Sequence, residues 1–242
     1  MGRFVGRNVL VTGASTGIGR ACAIRFAEEG ANIAINYNRS EGEAKKTAAA
    51  VHKAHELQGY TDADYITVRA DIGHEDQILN MFQSTLNAFG RLDVLINNAG
   101  ILWSSPSHEL PSEDFDRITG VNLRGAYLCC REAIAHFLSR EGGGVIVNNS
   151  SVHEIIPKPT YLSYSISKGG MENLTKSLGL EYADSNIRVN AVGPGAIETP
   201  INAAWIDDAG KRAGVESHIP MGRAGLPEEM ASVFAFLASD DA

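Results

Sequence analysis

No apolar run in this chain approaches the roughly 18 residues that a membrane-spanning helix takes. The first residues, Met1-Gly-Arg-Phe-Val-Gly-Arg7, lack the long hydrophobic stretch of a secretory signal. A cytoplasmic protein is expected. Positive charge is also in deficit: 21 Lys and Arg stand against 29 Asp and Glu, a formal net charge of -8. An acidic surface repels polyanions, which argues against nucleic acid or anionic membrane as a partner and leaves a small-molecule substrate. Cysteine is scarce. Cys22, Cys129 and Cys130 are an odd number without metal-ligand spacing, so buried, reduced thiols are expected and a metal site is not. Repeats, low-complexity tracts and linker-like stretches are missing too, so residues 1–242 read as one domain.

What is present is an alternation. Short β-rich runs at Asn8 to Thr12, Ile33 to Asn36, Tyr65 to Val68, Val94 to Ile96, Val145 to Asn148 and Arg188 to Val192 are separated by helical patterns. These span about 17–29, 41–57, 75–89, 113–139 and 161–183, and one more covers about 227–238. The pattern predicts an α/β, single-domain, Rossmann-type doubly wound parallel sheet with helices on both faces. Most strand runs are apolar throughout, as strands buried on both faces are. The stretch at about 194–220 breaks the rhythm and is expected to be a substrate-covering loop. The chain closes on Ser239-Asp-Asp-Ala242 directly after a helical pattern, so a final C-terminal strand is expected to be missing.

Directly after the first strand comes Thr12-Gly-Ala-Ser-Thr-Gly-Ile-Gly19. Gly13, Gly17 and Gly19 permit a tight turn and let phosphate approach the backbone, while the following helix start offers free N–H groups. Ser15 and Thr16 add hydroxyl donors, and Ile18 completes the turn. At the end of the second strand an acid would accept hydrogen bonds from a 2′-hydroxyl and repel a 2′-phosphate. None stands in Ile35-Asn-Tyr-Asn-Arg-Ser40; Arg39 can pair with a phosphate or simply face solvent, so NADP is favoured over NAD. Asp71 and Ile72, closing the third strand, suit an adenine contact, although capping of the next helix fits Asp71 equally.

Tyr164-Ser-Ile-Ser-Lys168 places a phenol and an ammonium four residues apart, on one helical face. An ammonium about 4 Å from the phenol oxygen would favour phenolate by at most roughly 4 kcal/mol. That makes the pair a candidate for proton transfer.

Taken in order, the glycine turn, Asn97-Asn-Ala-Gly100, Asn122, Ser151, Tyr164 with Lys168, and Pro194-Gly195 resemble the short-chain dehydrogenases/reductases over nearly the whole chain. The resemblance implies an NAD(P)-dependent oxidoreductase with Tyr164 as general acid/base and Ser151 holding the substrate oxygen. Lys168 would bias Tyr164 and bind the nicotinamide ribose, and Asn122 would hold a relay water. It implies a ribose wall of Asn98, Ala99 and Gly100, and a segment of Pro194, Gly195, Ile197 and Thr199 that meets the nicotinamide carboxamide and the phosphates. Asn97 is expected to tie strands together. Ser150 is the alternative to Ser151, but thirteen residues between serine and tyrosine favour Ser151.

A narrower resemblance, to bacterial glucose 1-dehydrogenases, rests on Ser150-Ser-Val-His-Glu-Ile-Ile-Pro157, Gly193-Pro-Gly-Ala-Ile-Glu-Thr-Pro-Ile-Asn202 and Val215-Glu-Ser-His-Ile-Pro-Met-Gly222. It implies a sugar substrate, glucose first, with His153, Asn202 and Asp208 lining the pocket beside Ser151 and Tyr164. Leu102 departs from it, standing where those enzymes carry an acid, and nearby Trp103 can stack on a ring or simply pack. The departure keeps a second expectation in play, a carbonyl reductase of a lipid, steroid or acyl substrate. A non-catalytic nucleotide sensor is the third. The helices at 113–139 and 161–183 carry surplus apolar residues, including Leu174, Leu178 and Leu180, so a homotetramer is expected.

Overall fold

The computed structural model describes residues 2–242. Six strands, β1 (Asn8–Val11), β2 (Asn32–Tyr37), β3 (Tyr65–Arg69), β4 (Val94–Asn97), β5 (Gly144–Asn149) and β6 (Ile187–Val192), form one all-parallel sheet in the order β3-β2-β1-β4-β5-β6. Side chains alternate across a strand, so each strand feeds two cores. Val9, Val11, Ile33, Ile35, Ile96 and Val147 face one way, against Phe26 of α1 (Gly17–Glu28), Val51 of α2 (Glu41–Gln58) and Phe234 of a late helix at Pro227–Ala238. Leu10, Ala34, Leu95 and Ile146 face the other way, against Ile78 and Met81 of α3 (Glu75–Phe89). This is the doubly wound sheet expected from the apolar strand runs, with helices on both faces.

The sequence from β1 turns one way to β2 and later returns on the other side as β4. The reversal opens a crevice at the carboxyl ends of β1 and β4, where ligands bind in sheets of this kind.

Three expectations change. The helical pattern over 113–139 is two helices, α4 (Ser112–Thr119) and α5 (Ala126–Leu138), joined by a π-helical turn at Gly120–Gly125. Gly125 lets this turn come close to the loop after β3, since a Cβ there would sit 2.6 Å from Ile72 Cγ2. The stretch expected as a covering loop carries a 3-10 turn at Pro200–Asn202, α7 (Ala203–Ile206) and α8 (Ala209–Glu216), after which the late helix is α9. Ile197 and Gly225 form a parallel bridge at the foot of this cover, and Arg212 pairs with Glu198 across it. On α6 (Leu162–Glu181), Leu174 and Leu178 pack onto the chain's own core, leaving Leu180 84% exposed as the one of the three leucines that faces outwards. Among the described residues no helix is long and apolar enough to cross a membrane.

Candidate active site

The carboxyl ends of β1, β4 and β5 open on a cavity of about 730 Å³, a volume typical of small-molecule sites. Its floor is the glycine turn. Gly13 has φ +61°, and a Cβ there would lie 2.9 Å from Ala99 Cα. Asn98 ties the turn down, its Nδ2 donating to Thr12 O (2.9 Å) and Gly13 O (3.1 Å). Thr12 Oγ1 in return accepts from Asn98 N (2.9 Å) and Ala99 N (3.0 Å). Thr16 precedes α1 but makes no side-chain cap, so the orphan N–H groups of the helix start are left for an anion.

Ser15, Thr16, Gly17, Ile18, Asn98, Ala99 and Gly100 line the cavity with Gly13. Gly19 does not; it lies behind the turn, against Asn98. Arg39, Asp71 and Ile72 form the far wall. Asp71 does not cap α3, which His74 precedes; its Oδ1 accepts from Gly73 N (2.9 Å) and its carboxylate pairs with Arg117 at 3.5 Å. Burial opposes its ionisation, but the Gly73 N–H, Asn38 and Arg117 outweigh it and hold the pKa below the usual range.

At the other end Ser151, Tyr164 and Lys168 meet on the cavity wall. Ser151 starts a 3-10 turn at Val152–Glu154, and its Oγ accepts from His153 N at 3.2 Å. That leaves its hydroxyl hydrogen to donate into the cavity. Ser150 is occupied, with its Oγ bonded to Glu154 and to Lys168 O (3.4 Å). Burial pushes the Tyr164 pKa up, and the Ser151 hydroxyl beside it works in the opposite direction. The direct Lys168-to-phenol push expected from the spacing is not what the geometry gives. Lys168 Nζ lies 5.6 Å from the Tyr164 ring centroid and donates to Asn149 O at 2.6 Å. Sharing a helical face brings the ammonium beneath the ring, and loss of hydration then dominates both groups. Burial lowers Lys168 itself to about 8.

Asn122, in the π-helical turn, is fully buried and does not line the cavity. Its Oδ1 accepts from Ile101 N (2.8 Å), and its Nδ2 donates to Ile101 O (2.9 Å) and Ser167 Oγ (3.3 Å). The side chain braces the strand-end loop against α6. Asn97 ties β4 to β5 and α5 through Asn148 Oδ1 (3.0 Å) and Ala126 O (3.2 Å).

Pro194, Gly195, Ile197, Thr199, His153 and Asn202 line the cavity. His153 Nδ1 bonds to Ile156 O at 2.8 Å, which in the neutral ring leaves Nε2 as an acceptor. Asp208 does not line it. Its Oδ1 caps α8, accepting from Gly210 N and Lys211 N at 3.0 Å each. The spacing Asp208-Ala-Gly-Lys211 is an N-cap signature that the sequence already carried. Sequence reading also missed much of the wall: Val152, Lys158, Tyr161, Ile201, Trp205 and Val215 line the cavity together with Leu102 and Trp103. Only Tyr161, one helical turn before Tyr164, left a signal in the spacing.

The cysteines take no part. All three are buried, and burial raises the pKa of each, that of Cys130 to about 12.

The donor set fits a dinucleotide: an uncapped helix start, a cradle at Gly13 that a Cβ would fill, and a buried lysine at the far end. Comparison with known proteins agrees. A family model described as Enoyl-(Acyl carrier protein) reductase matches residues 13–242. The glucose 1-dehydrogenase of Gluconobacter oxydans is 47% identical over 239 residues, 99% of this chain and 87% of the relative. The 3beta-hydroxysteroid dehydrogenase 1 of Eggerthella lenta is 46% identical over 237 residues, 98% of this chain and 88% of the relative. Among solved structures, levodione reductase superposes with a TM-score of 0.90 at 35% identity, covering 99% of this chain and 93% of the other.

Proposed function

The chain belongs to the short-chain dehydrogenase/reductase family, and from that premise we propose that it moves a hydride between nicotinamide and a secondary alcohol or ketone on a ring-shaped, largely apolar molecule. The observation that supports the substrate class is the set of large apolar side chains in the cavity lining, Leu102, Trp103, Val152, Ile201, Trp205 and Val215, beside the polar His153, Lys158 and Asn202. A sugar buried there would leave hydroxyls unpaired, at about 1–3 kcal/mol each. A steroid or cyclic ketone presents one oxygen to Ser151 and Tyr164 and an apolar body to the rest. Glucose is the second reading, favoured by the His153 Nε2 acceptor and by the name of the Gluconobacter relative.

A nicotinamide dinucleotide, when bound, supplies the hydride acceptor for oxidation and the donor for reduction. The residues that would hold it are the glycine turn, Asp71 and Ile72, the Asn98–Gly100 segment, Lys168, and Pro194 with Ile197 and Thr199. Ser151 donates its hydroxyl hydrogen to the substrate oxygen, steadying the charge that develops there. Tyr164 Oη gives a proton to that oxygen in reduction and takes one from it in oxidation. Lys168 Nζ, 5.6 Å from the Tyr164 ring centroid, would when protonated set a positive charge beside the phenol.

A spectrophotometric screen at 340 nm, with both dinucleotides against hydroxysteroids, cyclic ketones, sugars and polyols, tests the reading. We expect kcat/KM for a cyclic apolar substrate to exceed that for glucose by about tenfold or more, roughly the worth of one unmade hydrogen bond. A preference for glucose would establish the second reading. Binding of NADPH with no turnover on any compound would leave the sensor reading.

For the cofactor we propose NADP, with NAD as the second possibility. Arg39 lines the cavity past the end of β2 and makes no ion pair among the described residues. Arg39→Ala is expected to weaken NADPH binding about tenfold and to spare NADH. An equal loss for both would show that Arg39 does not read the 2′-phosphate.

A further inference from the structure

Lys158 lines the cavity and has no part in the chemistry described so far. Its backbone is constrained from both sides. Pro157 and Pro159 flank it, and a proline fixes its own φ and biases the residue before it toward extended backbone. Thr160 takes φ +69°, a left-handed conformation that strains a β-branched residue. Two backbone hydrogen bonds hold this segment in place: Tyr161 N donates to Lys158 O at 3.2 Å, and Ser105 N donates to Thr160 O at 2.9 Å. Strain of this kind persists only where the surroundings impose it, and it gathers at ligand clamps and active sites. Here it fixes a lysine and a tyrosine on the cavity wall.

Three contacts locate the ammonium. Lys158 Nζ lies 4.4 Å from the Tyr161 ring centroid, within cation–π range. The Tyr161 ring is 6.0 Å from that of His153, which stands 6.2 Å, edge-on, from Tyr164. The cation is thus two rings from Tyr164, placed to meet the far end of a molecule whose oxygen sits at Tyr164. Nor is its charge cancelled. Among the described residues Lys158 Nζ makes no hydrogen bond or ion pair. Glu154, four residues earlier, is taken by Ser150 Oγ. Asp71, the one acid among the described residues that line the cavity, pairs with Arg117. Lys158 is exposed, and in a chain of net charge -8 an unpaired cation at the cavity rim attracts anions that the rest of the surface repels.

We propose that Lys158 is a specificity residue: its ammonium, held over Tyr161 by the rigid 157–161 segment, pairs with a carboxylate on the substrate, at the end away from the oxygen that Ser151 and Tyr164 hold. The inference rests on the proposed ring-shaped substrate and narrows it to an apolar ring system that carries an acidic substituent.

The test compares kcat/KM for an oxo-steroid bearing a side-chain carboxylate with kcat/KM for its methyl ester, on the full chain at low salt. Wild type is expected to favour the acid about 3–5-fold, the worth of one partly screened ion pair, through KM rather than kcat. Raising the salt to about 0.5 M should erase that preference. Lys158→Met is expected to bring the ratio to about one, and Lys158→Arg to restore it. A wild-type ratio of one would overturn the proposal, as would a ratio that Lys158→Met leaves at its wild-type value. A loss in Lys158→Met that falls on the dinucleotide KM alone would also overturn it, by giving the charge to a phosphate of the cofactor. If neither steroid is turned over but glucose is, the ring-shaped apolar reading fails by itself, and glucuronate against glucose carries the same comparison. There, a glucuronate preference that Lys158→Met abolishes supports the charge pairing, and equal use of the two sugars overturns it.

Discussion

Tyr164→Phe is expected to lower kcat about 10²–10⁴-fold, the usual worth of a positioned general acid or base, while NAD(P)H affinity stays within about twofold of wild type. The substitution removes one oxygen and keeps the ring that stands 5.6 Å from Lys168 Nζ and packs edge-on to His153 at 6.2 Å. In the proposed reading the cofactor is held mainly by the glycine turn and Lys168, so its binding should survive. Burial raises the Tyr164 pKa, which keeps the phenol protonated at neutral pH and ready to donate in ketone reduction. Alcohol oxidation needs the phenolate and should accelerate as pH rises. The variant should lose that alkaline limb as well as its rate. Turnover near the wild-type level would show that the proton travels by another group.

Ser151→Ala is expected to cost about 10²–10³ in kcat, comparable to the loss of one preorganised donor at a developing oxyanion. Ser151 Oγ already accepts the His153 N–H, which leaves its own hydrogen available to donate to a substrate oxygen. Removing it leaves the substrate oxygen with Tyr164 alone. The KM for the dinucleotide should hardly move, because the proposed role of Ser151 is toward the substrate oxygen. Steady-state kinetics with dinucleotide and substrate varied separately measure both effects; a loss confined to dinucleotide KM would move Ser151 out of the chemistry.

The sheet was legible because its strands are buried on both faces, which writes continuous apolar runs such as Val94 to Ile96 into the sequence. The glycine turn was legible because its function depends on backbone shape, and few residues can take that shape. Other features were hidden for particular reasons. The π-helical turn at Gly120–Gly125 sits inside an apolar period that continues unbroken on either side, so pattern alone merges α4 with α5. The spacing of Tyr164 and Lys168 shows that they share a face, but the balance of burial against charge depends on Asn149, Ser151 and Glu154, which come from elsewhere in the chain. Asp208 was misplaced because a short acidic residue serves a pocket or a helix cap equally well in sequence, and here the two backbone N–H groups of α8 claim it. The apolar wall of Tyr161, Trp205 and Val215 is assembled from segments with no common spacing to announce it.

The cover between β6 and α9 is pinned at its foot by the Ile197–Gly225 bridge and the Arg212–Glu198 pair, and it carries Ile201, Trp205 and Val215 into the cavity. Ser151, Tyr164 and Lys168 stand on a different part of the chain, the end of β5 and α6. The cover thus brings part of the cavity wall from a segment other than the one that carries Ser151, Tyr164 and Lys168, and the two meet where Val152 N donates to Pro194 O at 3.0 Å. Substitution can retune one while the other stays in register, and a change of diet need not cost the enzyme its chemistry.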